Sequence, residues 1–193
     1  MLEQGELLQL IRARLSERVP IVSNDSVLRR AAVLVPLLFK PDGEPYLLFT
    51  QRTHDVPTHK GHISFPGGAI EAADASPCAA ALRETAEEVG VLPEQVEVLG
   101  QLTYHATHSA MFDITPFVGM IPDGVAHITS DREVARILEV PLAHLLDPEL
   151  RQPDVRTSHW QYDWQGAIIW GATARILNEL LTILCLLYTS DAA

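Results

Sequence analysis

The sequence contains little cysteine, and this bounds the environment in which the protein works. Only two of its 193 residues are cysteines, Cys78 and Cys185, and they do not form a CxxC pair. Disulfide-stabilised secreted domains need several paired cysteines. The sequence therefore gives no support to a disulfide framework, and we expect a protein of the reducing cytoplasm.

Basic residues are also scarce, which argues against two classes of partner. The chain has 14 Lys and Arg residues against 25 Asp and Glu residues, a formal net charge of −11. Proteins that bind nucleic acid or anionic membranes depend on clustered Lys and Arg side chains. We therefore expect neither partner. An anionic small-molecule substrate would need its charge offset locally, and bound metal ions could do this.

Long apolar runs are absent as well. No stretch is long enough to span a bilayer, and residues 1–15 read as an amphipathic helix rather than as a signal peptide. The composition, 47% hydrophobic and 20% charged, is that of a globular domain. We predict one domain over residues 1–184. Residues 185–193 resemble the translation of an adapter used in preparing sequencing libraries, so we expect them not to be native.

The order of apolar segments predicts several strands. A polar turn between residues 31–39 and 46–52 predicts a hairpin, and the stretch ISFPGG reads as a short strand that runs into a glycine turn. Further strands are predicted at residues 95–102, 112–121 and 167–170.

Helices are predicted between these strands. Ser76 is a good N-cap for a helix from Pro77 to Val89, and Gly90 can end it in a left-handed conformation. Residues 131–146 read as a helical segment followed by a short strand-like piece before a proline, and residues 171–183 as a closing helix. Interleaved strands and helices of this kind predict an α/β fold with helices on both faces of a sheet.

Three glutamates are crowded into the predicted helix at residues 77–89. Glu84, Glu87 and Glu88 can reach one point in space, although like charges at this spacing repel each other. Oxygen ligands favour hard dications, Mg²⁺ or Mn²⁺. Arg83 can pair with Glu87 and orient a ligand carboxylate, and the backbone carbonyl of Gly68 could complete the ligand shell. The alternative is an ordinary charged outer face.

The run GGAIEAADASPCAAALRETAEEVGV resembles the Nudix box, the signature of the Nudix hydrolases. That signature is Gly, five residues, Glu, seven residues, and then Arg-Glu-apolar-x-Glu-Glu-x-Gly-apolar. Its second half is present here, with Thr85 in the place of an apolar residue. Its first half is one residue longer than usual, so Asp74 or Glu71 stands in for the first Glu.

The preceding run LLFTQRTHDVPTHKGHISFPGG resembles the longer signature of the coenzyme A diphosphatase branch of the family. Pro57 and Thr53 depart from that signature. The resemblance covers most of residues 28–181. The positions that match are Leu47, Leu48, Thr50, Arg52, Gly61, Phe65, Pro66, Gly67 and Gly68.

The resemblance implies an α/β/α sandwich with a mixed sheet, and metal-dependent hydrolysis of the diphosphate of coenzyme A or its thioesters. Glu84, Glu87 and Glu88 are then expected to hold Mg²⁺ or Mn²⁺, with Arg83 beside them. The base that takes the proton of the attacking water is expected to be Glu84 or Glu133. A simple charge at a helix N-terminus is the alternative reading of Glu133.

Substrate contacts are expected from a strand end and a polar loop. Arg52, His59, Lys60 and Gly67 are the candidates for binding phosphate groups, whereas a solvated loop is the alternative for the two loop residues. His105 is expected in a loop that lines the entrance.

Two other functions stay open at this point. One is a diphosphatase for another nucleoside diphosphate derivative, such as ADP-ribose. The other is a non-catalytic ligand sensor of the same fold, although sensors of that kind typically lose glutamates of the box. The assembly is not fixed by the sequence, and a homodimer is compatible with it.

Overall fold

A computed structural model of the chain describes residues 3–21, 28–53, 61–107, 112–122, 125, 133–154 and 159–190. For residues 186–190 it describes the backbone alone. Eight of the strands form one mixed sheet. They are β1 (Arg29–Phe39), β2 (Pro45–Arg52), β3 (Ile63–Ser64), β4 (Gly67–Ala69), β5 (Glu97–Gln101), β6 (His105–Ala106), β7 (Phe112–Ile121) and β8 (Val134–Pro141).

The long strand β1 lies at the centre of this sheet. It pairs in parallel with β7, from Arg29 opposite Phe112 to Leu38 opposite Ile121, and antiparallel with β2 and β4. All nine residues 31–39 are buried, as expected for an apolar run that is covered on both faces. The predicted hairpin of β1 and β2 is confirmed.

Helices cover both faces of the sheet, so the predicted α/β/α arrangement is confirmed. They are α1 (Gln4–Ser16), α2 (Pro77–Val89), the short α3 (Leu142–Leu146) and α4 (Gly171–Ser190). On one face, Ala80 and Ala81 of α2 pack against Ala32 and Leu34 of β1.

On the other face, α1 and α4 pack into the main core. Leu7, Ile11 and Leu15 of α1 are buried there together with Leu177 of α4. Within the described residues, no helix is long and apolar enough to cross a membrane. Helix α4 continues to Ser190, and the proposal that residues 185–193 are not native stays a prediction.

The bounds of α2 agree with the sequence prediction because local chemistry sets them. The hydroxyl of Ser76 accepts a hydrogen bond from the N–H of Ala79 at 3.1 Å, and Pro77 occupies the first turn. Gly90 adopts a φ of 74°, and its N–H donates to the carbonyl of Ala86. Glycine reaches this left-handed conformation without steric cost. The helix that carries the glutamates therefore has fixed ends.

A second, three-stranded sheet packs beside α4. It comprises β9 (Arg151–Asp154), β10 (His159–Trp164) and β11 (Ala167–Ile169), all antiparallel. Only the last of these was predicted. Strands β9 and β10 are short and rich in polar residues, and Pro153 lies in the edge strand β9, where a missing N–H is tolerated.

The prediction for residues 131–146 was wrong in its order. A strand, β8, comes first and pairs with β2 along its length, and the helix α3 follows Pro141. From Ile137 to Pro141 the exposure alternates with the two-residue period of a strand. Glu133 lies in a turn just before this strand. It does not begin a helix, so the reading of Glu133 as a helix N-terminal charge is wrong.

Candidate active site

The site begins where β4 passes under α2. Gly68 of β4 pairs with Ala32 of β1, and the carboxylate of Glu84 lies directly above it. A Cβ atom on Gly68 would lie 2.6 Å from the carboxyl carbon of Glu84, closer than real Cβ contacts allow. The absence of a side chain at this position is therefore what lets the Glu84 carboxylate approach the strand.

Gly67 is required for a different reason. Its φ is 151°, and a Cβ there would lie 2.4 Å from the carbonyl oxygen of Ala32 and 2.6 Å from the Cα of Val33. Its N–H donates a hydrogen bond of 3.2 Å to Oε2 of Glu88. The two glycines thus bring the backbone of β4 within reach of two carboxylates of α2.

Glu88 is the most deeply placed carboxylate of the three. Its side chain is only 8% exposed. Burial raises the pKa of Glu88 to about 7, against the opposing effects of the Gly67 N–H and of Arg52, and with smaller contributions from the charges of Glu84 and Glu133 in the same direction. Glu88 is therefore a carboxylate that gains strongly from a nearby cation.

Arg83 organises the neighbouring part of the helix. Its Nε and Nη2 donate to the two oxygens of Asp74 at 3.0 and 3.2 Å, and Nη1 donates to Glu84 at 2.9 Å. Nη2 also reaches the carbonyl of Ala69 at 3.2 Å. The paired hydrogen bonds from Arg83 hold the pKa of Asp74 below its usual value.

These contacts favour Asp74 over Glu71 as the residue that replaces the first Glu of the box. The carboxylate of Asp74 pairs with Arg83, whereas Glu71 is hydrogen-bonded to Asp74 through its backbone: its N–H donates to the Asp74 carboxylate at 2.8 Å, and its carbonyl accepts from the Asp74 N–H at 3.1 Å. Thr85, which stands where the box has an apolar residue, is fully buried. Its hydroxyl donates to the carbonyl of Ala81 at 2.7 Å, which satisfies the polar group inside the helix.

Glu87 lies at the rim of the site. Its side chain is 59% exposed, and both of its oxygens lie 3.3 Å from Nη1 of Arg83. Glu84, in contrast, is 18% exposed, and burial raises its pKa despite the hydrogen bond from Arg83. The three glutamates of the helix therefore occupy different environments, from the rim inwards.

Arg52 closes the site from the end of β2. Its Nη1 lies 3.9 Å from Oε1 of Glu88, and its Nη2 lies 3.6 Å from Oε2 of Glu133. The backbone N–H of Thr53 donates to the carbonyl of Glu133 at 2.9 Å, which joins the end of β2 to the start of β8. Burial is the main cause of the raised pKa of Glu84 and of Glu88, and the charge of Glu133 acts in the same direction on both.

Most of the predicted site residues meet in this region, but not all. The residues brought together are Arg52, Gly67, Gly68, Arg83, Glu84, Glu87, Glu88 and Glu133. His59 and Lys60 lie outside the described residues. His105 was expected in a loop but lies in the strand β6. Its Nε2 is 3.1 Å from Oε2 of Glu179, a partly buried carboxylate of α4 that also accepts from Arg18 at 2.6 Å. The ion pair of Arg52 with Glu133 had no signal in the sequence.

The donor atoms of the site suit a hard dication. The Glu84 carboxylate lies against Gly68 and the Glu88 carboxylate against Gly67, and both carboxylates and the backbone carbonyls offer oxygen. Among the residues that the structure describes, no three His, Cys, Asp or Glu side chains form a ready-made metal-binding group. Glu84 and Glu87 both pair with Arg83 instead. The residues fit Mg²⁺ or Mn²⁺ by their chemistry, and Glu87 would have to exchange Arg83 for the ion.

Comparison with known proteins shows the family. The model of the NUDIX domain matches residues 28–161. The chain belongs to the Nudix hydrolase family. An "uncharacterized Nudix hydrolase NudL" of Enterobacter sp. (strain 638) is 41% identical to it over 170 residues, which is 83% of this chain and 86% of that protein. The protein of that name from Cronobacter sakazakii (strain ATCC BAA-894) is 43% identical over 158 residues, 79% of this chain and 81% of the relative.

Solved structures agree with the Nudix fold. A MutT/nudix family protein from Enterococcus faecalis superposes with a TM-score of 0.58 at 14% identity, over 96% of this chain and 76% of that one. A C. elegans Ap4A hydrolase superposes with a TM-score of 0.55 at 16% identity, over 84% and 99%. At these identities the likeness concerns the fold. Nudix hydrolases generally need divalent metal ions, in keeping with the acidic site.

Proposed function

We propose that this Nudix hydrolase cleaves the diphosphate bond of coenzyme A or its thioesters. The products would be 3′,5′-ADP and 4′-phosphopantetheine or acyl-phosphopantetheine. The observation that carries the proposal is that residues of the run resembling the coenzyme A branch signature lie beside glutamates of the Nudix box. Arg52 and Gly67, both from that signature, contact Glu88 of the Nudix box, and Gly68 lies under Glu84. Signature and box therefore form one site.

Mg²⁺ or Mn²⁺ is the proposed cofactor. Glu84, Glu87, Glu88 and the carbonyl of Gly68 would hold it, and when bound it would neutralise charge on the diphosphate oxygens. Arg83 positions this set through its contacts with Glu84 and Glu87. We propose His59 and Lys60 as further contacts to substrate phosphates.

The reaction needs one water and one base. The water oxygen forms a new bond to one phosphorus, the bridging P–O bond breaks, and the bridging oxygen leaves on the other phosphate. The base takes the proton of the water. Glu84 and Glu133 are the two candidates, and their surroundings differ. Glu84 is 18% exposed and bonded to Arg83, whereas Glu133 is 56% exposed and faces Arg52.

A substrate panel tests the proposal. Coenzyme A, acetyl-coenzyme A, ADP-ribose and a diadenosine polyphosphate are incubated with the protein and Mg²⁺ or Mn²⁺, and the products are identified by mass spectrometry. We expect the highest kcat/KM for coenzyme A or its thioester, with 3′,5′-ADP as a product. Faster turnover of ADP-ribose or of the dinucleotide would overturn the substrate assignment, and no turnover of any compound would favour a ligand sensor.

The cellular location and the oligomeric state complete the proposal. We propose a cytoplasmic enzyme that acts on a small molecule, and its assembly stays open between a monomer and a homodimer. Light scattering coupled to size-exclusion chromatography distinguishes the two, since a monomer has the 21.3 kDa mass of one chain and a homodimer twice that mass.

A further inference from the structure

Within the described part of the chain, the side chain of Glu133 has one ionic partner, Arg52. Glu133 precedes β8 in a turn, and its side chain is 56% exposed. Its backbone carbonyl is fixed by the N–H of Thr53, but this bond does not direct the carboxylate. Among the described residues, the ion pair that reaches the carboxylate comes from Arg52. Arg52 is therefore the described cation that faces the Glu133 carboxylate.

The guanidinium of Arg52 lies between two carboxylates, those of Glu88 and Glu133. One terminal nitrogen faces Glu88 at 3.9 Å and the other faces Glu133 at 3.6 Å. A guanidinium presents its donors in a planar fork and can face two carboxylates at once, which a lysine ammonium on a flexible stem does less well. The Nε of Arg52 is buried and has no acceptor among the described residues, so the inner end of the guanidinium is enclosed by protein.

The charge of Arg52 offsets repulsion among the neighbouring carboxylates. Glu84, Glu88 and Glu133 all carry the same charge and repel one another. An exposed carboxylate next to two others would turn towards water unless a cation held it. Arg52 lies between Glu88 and Glu133 and offsets the repulsion where the two approach.

We propose that Arg52 is a positioning residue that holds Glu133 beside Glu88, and so makes Glu133 a member of the acidic site. This inference rests on the proposed function only in taking the acidic site to bind a dication. It differs from a direct contact of Arg52 with substrate phosphate, because both terminal nitrogens already face carboxylates of the protein. The prediction is that Arg52 acts through Glu133.

A double-mutant cycle on metal affinity measures this dependence. Mn²⁺ is titrated calorimetrically into the metal-free wild type, Glu133→Gln, Arg52→Gln and the double variant. In the wild-type background we expect Glu133→Gln to weaken Mn²⁺ binding about fivefold, the size expected for one exposed charge near a dication. In the Arg52→Gln background the same change should have almost no effect, because the carboxylate has already left the site.

A matched control comes from β8. Arg136 is close to Glu133 in the sequence and carries the same charge as Arg52. Its Nε donates to the side chain of Gln51 at 2.7 Å and not to Glu133. In an Arg136→Gln background, which loses the same charge, Glu133→Gln should keep its full effect. Arg52→Lys is the second variant in case Arg52→Gln unfolds, and it should retain part of the coupling.

The outcomes separate the possibilities. Equal effects of Glu133→Gln with and without Arg52 would overturn the inference, as would no effect in the wild type or no Mn²⁺ uptake at all. Steady-state kinetics adds a second readout. A positioning role lowers kcat of Arg52→Gln with little change in KM, whereas a phosphate contact raises KM. If Mn²⁺ binds with the expected coupling and coenzyme A is not cleaved, the proposed substrate fails and the role of Arg52 stands.

Discussion

Glu84 and Gly68 are in such close contact that neither carboxylate oxygen leaves space for a methyl group on the glycine. Both oxygens would lie 2.7 Å from a Cβ atom at that position. The contact joins the Nudix box to the glycine turn that precedes it, and it makes the position of a proposed metal ligand dependent on a residue with no side chain.

Gly68→Ala should therefore displace Glu84 and impair the site without unfolding the protein. The φ of Gly68 is not in the left-handed region, so alanine is tolerated by the backbone. We expect metal affinity and kcat to fall about 10-fold to 100-fold, as for other changes that disturb the support of a metal ligand. Calorimetry with Mn²⁺ and the hydrolysis assay measure the two effects.

The control is Gly5→Ala. A Cβ on Gly5, which lies in α1, would meet nothing within 4 Å. This variant should keep the activity of the wild type and be no less stable than it, because alanine has the higher helix propensity. Full activity of Gly68→Ala would contradict the role given to the contact with Glu84.

Removal of the Glu84 carboxylate tests the centre of the mechanism. Glu84→Gln should lower kcat about 10²-fold to 10⁴-fold, whether the residue binds the ion or takes the proton of the water. Glu94→Gln removes an exposed charge just beyond α2 and should leave kcat unchanged. Unchanged turnover of Glu84→Gln would remove the proposed mechanism.

Glu88 predicts how the stability of the metal-free protein changes with pH. Burial raises the pKa of Glu88 to about 7 in the folded state, from 4.5 for the free side chain. The folded state then holds a proton that the unfolded state has released, so stability is highest below pH 4.5 from this group and falls as the pH rises to about 7. The loss at pH 8 is about 3 kcal/mol.

The variant Glu88→Gln should remove this dependence. In EDTA at pH 8 we expect it to unfold at a higher urea concentration than the wild type, and the two proteins should converge near pH 5. Glu87→Gln removes one charge from the rim of the same helix and serves as the control. Parallel pH profiles of Glu88→Gln and wild type would show that Glu88 is not the group responsible.

The pairing of Asp74 with Arg83 predicts which acid supports the box. Asp74→Asn keeps the shape of the side chain but removes the charge that Arg83 binds through two hydrogen bonds. Arg83 then loses its anchor beside Glu84, and we expect kcat to fall about tenfold. Glu71→Gln should have a much smaller effect. The reverse order of the two effects, measured in the same assay, would show that the pairing seen here does not serve catalysis.

The sequence predicted those parts of the fold that local chemistry determines. The start and end of α2 follow from Ser76, Pro77 and Gly90, each of which acts on the backbone next to it. The arrangement of Arg83 with Glu87 is likewise a property of the helix alone. Such features need no knowledge of distant residues.

The parts that the sequence did not predict depend on distant pairing. Strand β8 contains apolar residues at spacings that suit a helix as well as a strand, and its long pairing with β2 decides between them. Arg52 and Glu133 meet because the end of β2 lies beside the start of β8, which their separation in the sequence conceals. Strands β9 and β10 are polar and short, so only their pairing with each other identifies them.

The ion pair between Arg18, just after α1, and Glu179 in α4 connects two helices that are far apart in the sequence. Because α4 also covers the sheet, the apolar face beneath it stays uncovered until α4 has been synthesised. A nascent chain on the ribosome can thus form the β1–β2 hairpin early, but it cannot complete this core before the residues of α4 have left the ribosome.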